Sequence, residues 1–138
     1  MKDFHKHAHN YIGTPFRHRG RTVRGMDCVG LLILCARDCG YTRYKEFAYG
    51  REPRNSVLES VLKDHFGDPV DRDPQINDVV LMRLRPGKDP SHVGIITDHP
   101  HGLGIIHAYG EIGRVVHQLY TSRLINKLAG VYSWQERY

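Results

Sequence analysis

Met26-Asp27-Cys28-Val29-Gly30-Leu31-Leu32-Ile33-Leu34-Cys35-Ala36-Arg37-Asp38 reads as one helix. Val29, Leu31, Leu32, Ile33, Leu34 and Ala36 make it apolar nearly all round, the pattern of a buried central helix rather than a surface one. Asp27 suits the N-cap and Gly40 the stop signal. The rest of the chain is read around this helix.

On its N-terminal side, Phe4, Ala8, Tyr11 and Ile12 recur at helical spacing, so residues near 3–12 read as a short amphipathic helix. Gly13-Thr14-Pro15 ends it, and a basic loop follows through Gly20 and Gly25. Beyond the central helix, Tyr41 to Arg54 is irregular, rich in aromatic and charged residues. Ser56 and Glu59 form a capping-box pattern ahead of a third helix carrying Val57, Leu58, Val61, Leu62 and Phe66, stopped by Gly67. From Ile76 the period changes. Val79–Leu84, His92–Thr97, Leu103–Tyr109, Arg114–Tyr120 and Val131–Gln135 read as strands separated by Gly, Pro or Asp turns. Helices first and strands after predict an α+β fold, with N-terminal helices packed on a C-terminal antiparallel β-sheet.

The length of 138 residues predicts one domain over 1–138, able to bury a core without staples. Hydrophobic residues at 40% and charged residues at 25% argue against disorder. No apolar run reaches the length of a membrane span, so no membrane insertion is expected. The polar, histidine-rich start lacks the apolar stretch of a secretory signal. A net charge of +5 favours anionic polymers, and Arg17, His18, Arg19, Arg21 and Arg24 concentrate it. That cluster suits equally a solvated loop and a substrate-facing patch. No zinc-finger, helix-turn-helix or RNA-binding signature accompanies it, so no nucleic-acid partner is expected. Three cysteines, Cys28, Cys35 and Cys39, do not read as a disulfide framework, and reduced thiols are expected.

Chemistry concentrates at Asp27-Cys28-Val29-Gly30-Leu31. A cysteine in the first turn of a helix meets partial positive charge and free N–H groups. Both favour a thiolate, and the same N–H groups can stabilise an oxyanion. A base is still useful. His92 opens one predicted strand and His107 lies near the end of the next, where adjacent antiparallel strands can set both side chains on one face. A base and the group that orients it need that arrangement. The bland alternative for Cys28 is a small buried hydrophobe. Cys35 and Cys39 read as core. His5 and His9 share a helix face that could hold a metal loosely, although a solvated polar face is the expected reading. Cys35 and Cys39 lack further ligands for zinc, and no phosphate loop is present. No metal and no organic cofactor are expected.

The chain resembles the NlpC/p60 family of papain-like cell-wall cysteine peptidases. The resemblance rests on Ile12–His18, Gly25–Leu31, Ile76–Leu81, His92–Ile96, and Ile106-His107-Ala108 followed by Gly113–Val116, in the family's order over roughly residues 8–120. It implies a papain-like fold with Cys28 as nucleophile, His92 as base, His107 as the orienting group and the Cys28 N–H as an oxyanion donor. It implies Asp27 and the Phe16 position as substrate-binding, and the charge of the basic loop adds Arg17 as a contact to stem carboxylates. Two residues depart from the family's pattern. Phe16 stands where relatives often carry a tyrosine, and losing such a donor can cost roughly 3 kcal/mol of barrier. Val29 stands where a serine is common.

The resemblance implies hydrolysis of a peptide bond in the stem peptides of bacterial peptidoglycan. The Gly13-Thr14-Pro15 opening and compact length most resemble members carried by phages, prophages and gene transfer agents. Peptidoglycan stem peptides and other phage tail proteins are then the expected partners. The expected site of action is the wall, reached within a phage-like particle or after lysis. Two alternatives accompany this reading: an amidase or acyltransferase using the same Cys-His pair, and a tail or wall-binding component without efficient catalysis.

Overall fold

The central helix forms as Cys28–Asp38 because Asp27 caps it, its carboxylate accepting from the Gly30 N–H at 2.9 Å. The computed structural model describes residues 3–41 and 57–134. Its elements are α1 (Phe4–His9), β1 (Arg21–Thr22), β2 (Gly25–Met26), α2 (Cys28–Asp38), α3 (Val57–Phe66), β3 (Val79–Met82), β4 (His92–His99), β5 (Gly102–Tyr109), β6 (Arg114–Leu119), α4 (Ser122–Ile125) and β7 (Leu128–Tyr132). The irregular stretch Tyr41 to Arg54 falls outside the described residues from 42 onward, as do Ser56 of the expected capping box and Gln135.

β3 to β7 form one antiparallel sheet in the order β6-β5-β4-β3-β7. Period-2 alternation splits its side chains between two cores. Val79, Leu81, Val93, Ile95, Ile106, Ala108, Val115 and Tyr132 join the helices, and α2 sits in that larger core. Val80, Met82, Ile96, Ile105 and Tyr120 form a second cluster, covered by Leu84, Leu103, Leu124 and Leu128. Both faces of the sheet are therefore filled, which explains why β3 is buried at all four positions. Against α2 packs α1, whose Phe4 stacks on Trp134 with ring centroids 4.6 Å apart.

Several details differ from the sequence reading, among them Met26, which lies in β2 rather than in the central helix. The first helix stops at His9, because residues 10–13 turn to carry the chain onto β6, with the Gly13 N–H donating to the Val115 carbonyl. The basic loop contains a two-stranded ribbon, β1 paired with β2. The last strand lies at Leu128–Tyr132, earlier than expected, because Leu128 and Gly130 pair with β3 around a bulge at Ala129 despite weak local strand propensity. The segment Ile76-Asn77-Asp78 is built for placement. Asn77 adopts a positive φ of 82°, and its side-chain carbonyl accepts from the His5 N–H. Buried Asp78 takes Arg72 in two bonds and the Gln75 N–H in a third. These contacts fix the entry of β3 and the seat of α1.

Candidate functional site

The start of α2 is held from three sides. The Asp27 carboxylate, 3% exposed, accepts from Gly30 N–H, from Arg19 N–H at 2.7 Å and from Arg21 Nη1 at 3.1 Å. Arg21, expected within a solvated or substrate-facing cluster, is instead turned partly inward onto Asp27. Gly30 allows this approach, since a Cβ there would stand 2.1 Å from the Gly20 carbonyl oxygen.

Cys28 is partly buried, and its sulfur faces the N–H groups of Cys28, Val29 and Val93. Burial and then the Asp27 carboxylate push its thiol up to about 12, against the pull of those N–H groups. The sequence reading anticipated a thiolate favoured by the helix start. The desolvation of the site outweighs that effect, and the resting group is the neutral thiol. Cys35 on α2 and Cys39 at its C-cap are buried thiols.

His92 and His107 do come together. The β4–β5 register pairs Ile95 with Ile106. Continued by one residue, it sets His107 across from Gly94, two residues along the strand from His92 and on the same face. Gly94 leaves room there, since a Cβ would press Ile105 at 2.5 Å and the His107 Cβ at 3.3 Å. His92 Nε2 lies 2.7 Å from His107 Nδ1, and His107 Nε2 lies 2.6 Å from Gln118 Oε1. The Gln118 carbonyl can only accept, so His107 carries its proton on Nε2. Its Nδ1 then accepts from His92 Nε2–H, which leaves the lone pair of the His92 ring on Nδ1. Burial, with a smaller contribution from His107, pushes His92 down to about 3, and burial also lowers His107. Both rings are neutral at neutral pH. Val93, directly after His92, supplies an N–H to the Cys28 sulfur, which ties the start of β4 to the start of α2. Gln118 was missed in the sequence reading. The signal for it was the β5–β6 register, which pairs Gln118 with Ile105 and so places it on the face of His107. Tyr109 was also missed, and its ring stacks on His107 with centroids 5.5 Å apart.

The fold that carries these residues is shared with known proteins. An NlpC/p60 family protein from Bacillus cereus superposes with a TM-score of 0.65 at 20% identity, covering 96% of this chain and 39% of that one. The NlpC/p60 domain of the peptidoglycan hydrolase SagA gives 0.64 at 20% identity, covering 96% and 97%. The chain has the NlpC/p60 fold. A lipoprotein-like NLP/P60 family structure from Staphylococcus aureus gives 0.61 at 17% identity, over 95% of this chain and 40% of that one. In sequence, the chain is similar to the probable endopeptidase NlpC of Escherichia coli K12, 29% identical over 87 residues. That match takes in 62% of this chain and 49% of the relative, so the chain spans about half the length of the curated protein it matches. No protein-family model matches the chain.

The remaining expected positions, Phe16, Arg17 and Asp27, precede α2 in the chain. The Phe16 ring, half-buried, lies within van der Waals reach of the Gly110 position, and its N–H donates to the Gly113 carbonyl at 2.8 Å. Arg17 is exposed, with its stem laid over Gly25. Asp27 is engaged with Arg19 and Arg21. The expectation of a solvated His5/His9 face is overturned. α1 lies against β4, so His5 is buried and its Nδ1 meets the Thr97 hydroxyl at 2.8 Å. His9 Nε2 meets the same oxygen at 2.9 Å. Among the described residues, no helix is long and apolar enough to cross a membrane.

Proposed function

We propose that this chain is a cysteine peptidase that hydrolyses a peptide bond in the stem peptides of peptidoglycan. The observation that carries the reading is the hydrogen-bonded chain Gln118–His107–His92, which leaves a neutral lone pair on His92 Nδ1, at the residue before Val93, whose N–H meets the Cys28 sulfur. In this mechanism the Cys28 thiol gives its proton to His92 Nδ1 as the sulfur attacks the scissile carbonyl carbon. His107 holds the resulting imidazolium through Nδ1. The carbonyl oxygen becomes an oxyanion, with the Cys28 N–H as donor. His92 then protonates the leaving amine, and water, deprotonated by the same ring, cleaves the thioester. The proton moves during attack because both partners rest neutral.

The bond proposed is the γ-D-glutamyl to diaminopimelate link. The resemblance of Gly25–Leu31 and His92–Ile96 to the family, and the similarity to a probable endopeptidase, support that choice. Arg17, Phe16 and the Asp27-anchored loop are the proposed contacts to the stem peptide, with the exposed Arg17 guanidinium suited to its carboxylates. The proposal includes a phage-like particle as the carrier and tail proteins as partners, on the resemblance at Gly13-Thr14-Pro15.

Digestion of purified sacculi, followed by mass analysis of released fragments, tests the reading. Wild type should release fragments ending at one defined peptide bond, and Cys28→Ala should release none. Equal release by both proteins would sink it. A second reading, a wall-binding component with little catalysis, draws on Phe16 in the usual tyrosine position and on the high thiol pKa of about 12. Its mark would be co-sedimentation of both proteins with sacculi and no fragment from either.

A further inference from the structure

β4 carries two histidine assemblies. His92 begins it, and five residues further, roughly 16 Å along the strand, Thr97 meets the histidines of α1, with Asp98 next to it. Around the Thr97 hydroxyl stand His5 Nδ1 at 2.8 Å, His9 Nε2 at 2.9 Å and Asp98 Oδ1 at 3.0 Å. The ligating atoms of His5, His9 and Asp98 all lie within 4.8 Å of one another, and His9 Nε2 is already 3.5 Å from Asp98 Oδ1. Two ligands bound tetrahedrally to zinc stand about 3.4 Å apart. The remaining closure asks for small movements of His9, which is partly exposed, and of Asp98, whose side chain is mostly exposed. His5, the buried member, is already fixed by its own N–H to Asn77. His117 braces the far side, its Nε2 donating to the Asp98 carbonyl at 2.9 Å and its ring packed edge-on against His9.

We propose that His5, His9 and Asp98 form a binding site for a first-row divalent cation such as Zn²⁺, with the fourth position left to water. Two imidazoles and one carboxylate match the preference of zinc for nitrogen and hard oxygen donors. In the metal-free protein, Thr97 donates to Asp98 and accepts from both rings. Binding requires each ring to move its proton to the other nitrogen, and the Thr97 hydroxyl keeps hold of the carboxylate. The site joins the six-residue α1, too short to persist alone, to the strand that carries His92. Its role is a clamp between α1 and the sheet, separate from Cys28.

The test uses the full chain carrying Cys28→Ala, so that this thiol takes no metal. Zn²⁺ is titrated by calorimetry and Co²⁺ by visible absorption, each with the metal alone. One equivalent should bind, Zn²⁺ should displace Co²⁺, and Tm should rise by about 5 °C at saturation. His9→Gln and Asp98→Asn should each weaken binding at least tenfold. Replacing His99, the last residue of β4, and His101, on the exposed turn after it, together by Gln should leave it unchanged. No binding tighter than about 100 µM, or binding lost with His99 and His101 but kept in His9→Gln and Asp98→Asn, would overturn the site as an adventitious histidine surface.

Discussion

Gln118 fixes the proton on His107, and through it the lone pair on His92, by one 2.6 Å bond from β6. A neutral hydrogen bond of this kind contributes about 1 kcal/mol. Gln118→Leu should therefore lower kcat about five- to tenfold with KM little changed, read from initial rates on purified muropeptides. An unchanged kcat would remove Gln118 from the relay. Cys28 carries a second prediction. With its thiol near 12, alkylation by iodoacetamide should be slow at mildly acidic pH and should climb toward alkaline pH. A fast phase at pH 5 would show a resting thiolate instead. The place of Cys28 at a helix start and of His92 and His107 on adjacent strands was readable, because such elements leave periodic signatures, whereas the roles proposed for them rest on the family resemblance. The charge state was not, because it depends on how deeply the folded chain buries the sulfur and the ring. The inward turn of Arg21 was hidden for the same reason, as it follows from the place of Asp27 in three dimensions.

Two glycines set how closely elements meet. Gly30 lets α2 lie on the basic loop, with backbone rather than a movable side chain as the obstacle to any Cβ. Gly94 lets His107 pass beside β4. Gly30→Ala should cost about 1–3 kcal/mol in urea unfolding, the usual penalty for overpacking. A change below 0.5 kcal/mol would mean that the loop is free to move off the helix. The central helix, the third helix and the long strands were legible because their apolar periods run over many residues. The β1–β2 ribbon and α4 were not, since two- and four-residue elements carry too short a pattern. β7 was misplaced because Leu128 and Gly130 pair by tertiary context, around a bulge at Ala129 and against weak local preference.

Across the molecule, buried histidines link folding to pH. His92, His107 and His5 all have pKa values below the ordinary 6.5, each chiefly from burial. Above pH 6.5 they are neutral in both states, and their contribution to stability is fully present. Below it the unfolded chain takes up protons that the folded chain refuses, so stability falls as pH drops from 6.5 toward 3. Each such proton adds a slope of about 1.4 kcal/mol per pH unit. Urea midpoints should fall between pH 7.5 and 5, and His92→Gln should flatten that fall. Equal slopes would show that His92 is not held neutral. The class of fold was visible in the order of helices and strands, whereas the two-core layout needed the sheet order β6-β5-β4-β3-β7. The central claim is that one thiol and one imidazole, joined by that layout, cut a peptide bond of the cell wall. Turnover of a purified stem-peptide muropeptide by wild type, Cys28→Ala and His92→Ala, each confirmed folded by circular dichroism, tests it most directly. Both variants should lose activity by about 10⁴-fold or more; turnover by folded Cys28→Ala at the wild-type rate would contradict it.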